Sequence, residues 1–155
     1  MKFLLHILLL ISIIGLNSVS YSQIALAVSK NENGSSVKYS LQVGSTLDEA
    51  YAKAQKDLDD QNLKNIFVLK STENTGHDLK SGYYVLIISS RKTLGGKFFV
   101  SYGLGVSQKS RQEAIDRAVV HLKEYDWGYE KEDGYAFEKD GKIEDFYVTK
   151  DDKKK

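Results

Sequence analysis

The feature that most constrains this chain is a pattern that occurs twice. Val37, Tyr39, Leu41 and Val43 alternate with Lys38, Ser40 and Gln42, and Ser45-Thr46-Leu47-Asp48-Glu49-Ala50-Tyr51 then has the composition of a helix start. Between Val100 and Leu122 the pattern returns: Val100, Tyr102, Leu104 and Val106 alternate with Ser101, Gly103 and Gly105, and Ser110-Arg111-Gln112-Glu113-Ala114-Ile115 follows. A period of two puts alternate side chains on opposite faces of a strand. Thr46 with Glu49, and Ser110 with Glu113, have the spacing of a capping box, in which the hydroxyl accepts from an orphan backbone N–H while the carboxylate reaches back. Behind the caps Ala50, Tyr51, Ala54 and Leu58 recur at helical spacing, and Ala114, Ile115, Ala118 and Leu122 reproduce that stripe. Strand register, cap and stripe coincide with a single inserted residue, which reads as an internal repeat.

The rest of each unit follows from the same signals. Ile24 to Ser29 is an apolar run bounded by the polar, glycine-bearing segment 30–36, which predicts a strand entering a hairpin. Asn65 to Lys70, around Ile66-Phe67-Val68-Leu69, predicts a strand after the first helix. Ser71 to Gly82 is polar and reads as the connection between halves. Tyr83 to Ser89 and Lys97 to Val106 predict the second hairpin. After Glu124, Tyr125, Trp127, Tyr129, Tyr135, Phe137, Phe146 and Tyr147 are spaced among charges, and Asp140-Gly141 predicts a two-residue turn joining a strand at Ala136 to another at 143–149.

Together these elements predict an α+β domain of two tandem β-β-α-β units, 24–70 and 83–149. They would form one antiparallel sheet, or two joined sheets, with both helices on one face and the other open to water or a partner. Residues 150–155 form a frayed tail.

Upstream of the domain, residues 1–22 read as a signal peptide. Lys2 precedes an apolar run from Phe3 to Leu16, and Ser20-Tyr21-Ser22 places small residues for cleavage before Gln23. The run is shorter than the ~20 residues of a spanning helix, so no membrane span is expected after cleavage. The chain contains no cysteine, which leaves no lipid attachment point and no disulfide. Its 22 basic residues face 21 acidic ones, a balance that speaks against nucleic acid, whose phosphates select a basic surplus.

Candidate chemistry is sparse. His121 and Glu124 lie one helical turn apart, but two ligands do not complete a metal site, and His77 lies in the polar connection. His121 therefore reads as a surface histidine and no metal or cofactor is expected. No serine occupies a glycine-bracketed elbow, so no nucleophilic residue is assigned. The carboxylate pairs Asp59-Asp60, Glu132-Asp133, Glu144-Asp145 and Asp151-Asp152 read as solvated surface, although two carboxylates across a cleft could hydrolyse a glycan. Gly103 and Gly105 share the strand face opposite Tyr102 and Leu104, and neither glycine pair has the order of a phosphate loop. Aromatic residues are enriched where proteins bind proteins. Trp127, Tyr129 and Tyr135 are expected to be exposed and, with Lys38, Ser40, Gln42 and Ser101 on the open sheet face, to form a contact surface.

The order of Ile24 to Ser29, a glycine-bearing turn, Tyr39-Ser40, then Ser45 and Glu49-Ala50 resembles a family of small exported bacterial domains of unknown function. Members commonly carry cysteines after the helix, where this chain has none. In architecture the tandem hairpin-helix units are similar to secreted beta-lactamase inhibitor proteins, which clasp an enzyme with a sheet. The expectation is a secreted or periplasmic, non-enzymatic binding protein, an inhibitor or immunity-type module whose partner is another protein. The alternatives are an envelope-polysaccharide enzyme or carbohydrate-binding domain, and a structural envelope protein.

Overall fold

The computed structural model describes residues 23–69 and 81–148; the leader, most of the connection and the tail lie outside them. The first unit consists of β1 (Gln23–Lys30), β2 (Ser36–Gly44), α1 (Leu47–Asp59) and β3 (Ile66–Leu69), and the second of β4 (Tyr83–Lys92), β5 (Phe98–Ser107), α2 (Arg111–Tyr125) and β6 (Ala136–Lys142), followed by a short α3 (Asp145–Val148). In each unit the first strand is central: the sheets run β2-β1-β3 and β5-β4-β6, with antiparallel pairing throughout.

The two units share register as well as topology. Leu26 pairs with Leu41 and Leu86 with Leu104; Val28 pairs with Tyr39 and Ile88 with Tyr102. The repeat read from the alternating residues is therefore a structural correspondence, residue on residue.

Both helices begin as their caps predict. Thr46 Oγ1 accepts from the Glu49 N–H at 3.2 Å, and Ser110 Oγ from the Glu113 N–H at 3.1 Å. Glu49 reaches back one residue beyond the cap, accepting from the Ser45 N–H at 2.7 Å and from its hydroxyl, and it also pairs with Lys53 at 2.7 Å. The ammonium of Lys53, then the Ser45 donors, hold its carboxyl down at about 2. Glu113 is held low in the same way by Ser107 and Arg117.

The layers differ from a single sheet with one open face. Ile24, Leu26, Val28 and Leu69 of the first sheet pack into one core with Tyr84, Leu86, Tyr102, Leu104, Val106 and Ile143 of the second. Each helix covers the outer face of its own sheet: Ala54 and Leu58 lie against Ala27, while Ala114, Ile115, Ala118 and Leu122 lie against Val85 and Ile87. The layer order is helix, sheet, sheet, helix. The face expected to stay open is closed because a three-stranded sheet with one helix buries only half of its apolar surface, and the nearest matching surface is the other unit. Where the outer strands β2 and β5 meet, Tyr39 and Tyr102 pack with ring centroids 4.9 Å apart. They occupy the same position in the two units, so the halves pack about a pseudo-twofold axis like an isologous dimer in one chain.

The second half ends differently from the expected hairpin. β6 runs straight through Asp140-Gly141, where Gly141 pairs with Tyr84 and Asp140 bridges to Arg111 at 2.7 Å. A Cβ on Gly141 would stand 3.0 Å from the Tyr84 ring, so the glycine makes room for a core tyrosine instead of a turn. Ile143 is then drawn fully into the inter-sheet core, and the segment after it turns into α3.

Gly103 and Gly105 let α2 settle on the β5 backbone: a Cβ on Gly105 would lie 1.8 Å from the Ala114 carbonyl oxygen. Gly105→Ala should cost ~3 kcal/mol or more in urea unfolding, since the helix must lift, whereas Gly95→Ala in an open turn should be near neutral. The depressed Glu49 carboxyl makes a second prediction. Its folded pKa lies below its unfolded one, so it adds stability above the ordinary carboxylate range that is lost as pH falls toward 2. Glu49→Gln should lower the urea midpoint at pH 7, and the gap from wild type should close by about pH 2; a gap independent of pH would refute the assignment.

Candidate functional site

The loop after α2 is built on a buried charge. Asp126 ends the helix and is 2% exposed. Its carboxylate accepts from Arg91 Nη2 at 2.9 Å and Nε at 3.2 Å, from Ser101 Oγ at 2.7 Å and from the Gly128 N–H at 3.2 Å. Burial alone would penalise this charge, and the fork of Arg91 with two further donors compensates it. The carboxylate in turn pushes the Arg91 guanidinium above its ordinary range. Arg91 lies over the Phe99 ring at 4.7 Å, and a Cβ on Gly128 would stand 2.7 Å from its Nη2, so a larger residue there would displace the guanidinium from this loop.

The loop sorts its aromatic residues by side. Tyr129, expected at the surface, is 7% exposed and packs with Val85, Ile87 and Leu122. Burial pushes its phenol above the ordinary range. A tyrosine among charges reads as exposed, but here the chain turns back onto the apolar face of the second sheet and the ring completes the core under α2. Trp127, between Asp126, held by Arg91, and Gly128, held by the Asp126 carboxylate, is 95% exposed. Ser101, expected on an open face, lies buried beneath the loop as a donor to Asp126.

Tyr135 directly precedes β6 and is 40% exposed, and it meets the half-exposed Phe137 edge-on at 5.7 Å. The Arg111 guanidinium lies 4.8 Å over Phe137. With Ile88, Ser90, Asp133, Gly134 and Ala136, Tyr135 lines a shallow cavity of about 360 Å3. The β4–β5 turn starts at Thr93, two residues beyond Arg91, and its hairpin carries a fully exposed Leu94 and an exposed Phe98. Trp127, Tyr135, Leu94 and Phe98 thus belong to one end of the second sheet.

Lys38, Ser40 and Gln42 stand elsewhere. They line a groove of about 390 Å3 along β2 with Val37, Tyr39, Leu41, Asp57, Tyr102 and Lys139. Their face is the helix side: Ser40 Oγ donates to Asp57 Oδ2 of α1 at 2.5 Å, and Gln42 Nε2 to Ser40 Oγ at 3.2 Å. The Tyr39 hydroxyl donates to Glu138 Oε1 at 3.1 Å, and burial together with that carboxylate pushes its pKa up to about 12. The seven residues of the expected contact surface therefore divide: Lys38, Ser40 and Gln42 share the β2 groove, Trp127 and Tyr129 belong to the Asp126 loop with Ser101 of β5 bonded beneath it, and Tyr135 directly precedes β6.

Sequence reasoning missed Asp126 and Arg91, because their pairing joins residues 35 apart in sequence and leaves no local pattern. It also misplaced His121, which is fully buried: its Nδ1 accepts from the Leu104 N–H at 2.8 Å and its ring stands edge-on to Tyr125, while Glu124 is exposed. His77 lies outside the described residues. Among the described residues no group of three or more His, Asp or Glu is arranged to hold a metal, and no helix is long and apolar enough to cross a membrane. Comparison with protein-family models, with curated proteins and with solved structures finds no match to this chain.

Removal of the buried carboxylate tests the loop. Asp126→Ala leaves Arg91 partly buried without its partner and should cost about 3 kcal/mol. Trp127 is the chain's only tryptophan, so its fluorescence anisotropy reports the loop directly and should fall in the variant under conditions where far-UV circular dichroism is unchanged.

Proposed function

We propose that this protein is a non-enzymatic binding domain of the cell envelope or its exterior, and that it engages another protein through the end of its second sheet. The observation that carries this reading is Trp127: a large aromatic side chain held 95% exposed on a loop whose two flanks are locked by a buried ion pair. An exposed indole contributes nothing to the fold and is a solubility liability, whereas a rigid one forfeits little entropy when a partner covers it. Tyr135, Leu94 and Phe98 extend the apolar surface at this end of the sheet, and Lys97 beside Phe98 gives it a polar rim. The leader-like residues 1–22 support action outside the cytoplasm, and with no cysteine in the sequence the domain relies on its core rather than on disulfides.

The test is affinity capture from envelope and secreted fractions with residues 23–155 as bait, comparing wild type, Trp127→Ala, Tyr135→Ala and a Lys123→Ala control. A partner retained by wild type and control, and lost by ~10-fold or more on Trp127→Ala, is the expected result. Tyr129→Ala is not used, because that ring is core. Equal retention by all four would reject the surface.

A further inference from the structure

The two units share one topology but finish their outer strand edges differently. On β5, the N–H groups of Val100 and Leu104 point away from β4, and both are taken: Val100 donates to Ser35 Oγ at 2.8 Å and Leu104 to His121 Nδ1 at 2.8 Å. In an antiparallel ladder alternate residues turn both N–H and C=O to the same side. The common register therefore turns Tyr39, Leu41 and Val43 of β2 to that strand's free edge. Lys53 Nζ, 3.2 Å from the Val43 carbonyl oxygen, agrees with this direction.

What closes the β5 edge is missing from β2. His121 corresponds to Asp57, which is turned to Ser40 and Gln42 and does not accept from the Leu41 N–H. Ser40 and Gln42 stand where the second unit has Gly103 and Gly105, so side chains separate α1 from β2 where α2 rests on bare backbone. The turn that supplies Ser35 has no matching act either: the β4–β5 hairpin points Leu94 and Phe98 into solvent. Among the described residues, nothing hydrogen-bonds the outward N–H groups of Tyr39 and Leu41. The resulting groove is lined by six consecutive residues, Val37 to Gln42, whose side chains face both ways, so it runs along the strand edge.

We infer that the β2 edge accepts an extended acidic segment of a partner protein as an added strand, lying between α1 and the second sheet. The outward N–H and C=O groups of Tyr39 and Leu41 supply the ladder, and Lys38 and Lys139 on the lips select the acidic residue. Asp57 and Glu138 already accept from the hydroxyls of Ser40 and Tyr39, whereas Lys38 and Lys139 make no ion pair among the described residues, so the lysines are the charges left for a partner. This site is separate from the Trp127 surface, and its outcome stands apart from that of the capture experiment.

The probes are two capped octapeptides alternating Thr and Val, one with Asp and one with Lys at a central Thr position, each also made with N-methyl groups on alternate amides in either phase. Amide exchange and chemical-shift mapping are followed on full-length mature protein, with Lys38→Glu as the variant, an exposed change that leaves the core untouched. The Asp peptide should slow exchange of the Tyr39 and Leu41 amides by ~10-fold at ten times its Kd, leaving Leu104 unchanged. One phase of N-methylation should abolish this and the other leave it. Lys38→Glu should weaken the Asp peptide on the order of 10-fold and favour the Lys peptide. Shifts confined to the Trp127 end, equal binding by both N-methyl phases, or no protection of Tyr39 and Leu41 by either peptide at millimolar concentration would each overturn the inference.

Discussion

The apposition of the two sheets is the constraint on which the rest depends. Each unit places only one helix on a three-stranded sheet, so Ile24, Leu26, Val28 and Leu41 on one side, and Leu86, Leu104 and Val106 on the other, would face water if the units stood apart. At ~25 cal/mol per Å2 that exposure would exceed what a unit of this size can spare. With no cysteine to staple it, the chain stays folded because its halves bury each other. The equivalent tyrosines at 4.9 Å join the outer strands β2 and β5 of the two sheets at the margin of that contact, and partial burial beside Glu138 raises the Tyr39 phenol.

A symmetric frame makes its departures from symmetry informative. Two glycines against Ser40 and Gln42, and a histidine against Asp57, are small changes in a shared pattern, yet they decide how close each helix approaches its outer strand. Where the strand is bare, α2 descends and His121 reaches the edge to accept from Leu104. Where side chains intervene, α1 makes its contact through Ser40 and Asp57 and the edge is left in a groove. Burial of Asp126 is a third departure. The corresponding end of α1 is Asp60-Gln61-Asn62, where the chain turns on backbone bonds from Gln61 and Asn62, while the second unit uses a carboxylate to fasten a loop.

The parts legible in the sequence were those determined within a few residues. Alternation, caps and helical stripes are local, and they located both β-β-α-β units with their strands in register. Burial set by the other half was not legible. Lys38, Ser40 and Gln42 form a polar face that reads as wet, but two of the three lie against a helix through a hydrogen-bonded layer. Tyr129 and His121 carry polar atoms and stand among charges, yet both rings are core, because packing of the second sheet decides their fate. Asp140-Gly141 has the composition of a tight turn, and the space required by Tyr84 overrides it. Trp127 was read correctly for a local reason: a helix end followed by Trp-Gly leaves a bulky ring no neighbour in its own segment.

An exposed edge strand is ordinarily a hazard, since any other edge can pair with it. The lysines beside β2 bear on which pairings are open to this one. Lys38 lines the edge groove, Lys139 stands across it, and Lys53 already covers the Val43 carbonyl at one end. Antiparallel pairing of two copies through β2 would bring Lys38 and Lys139 of both copies, which make no ion pair among the described residues, together across a shared axis, a contact that repels before any ladder forms. The same charges draw in an acidic strand. The edge is thus guarded against its own kind while its central donors stay accessible, and that combination is harder to reconcile with a surface serving only solubility than with one shaped for a different partner.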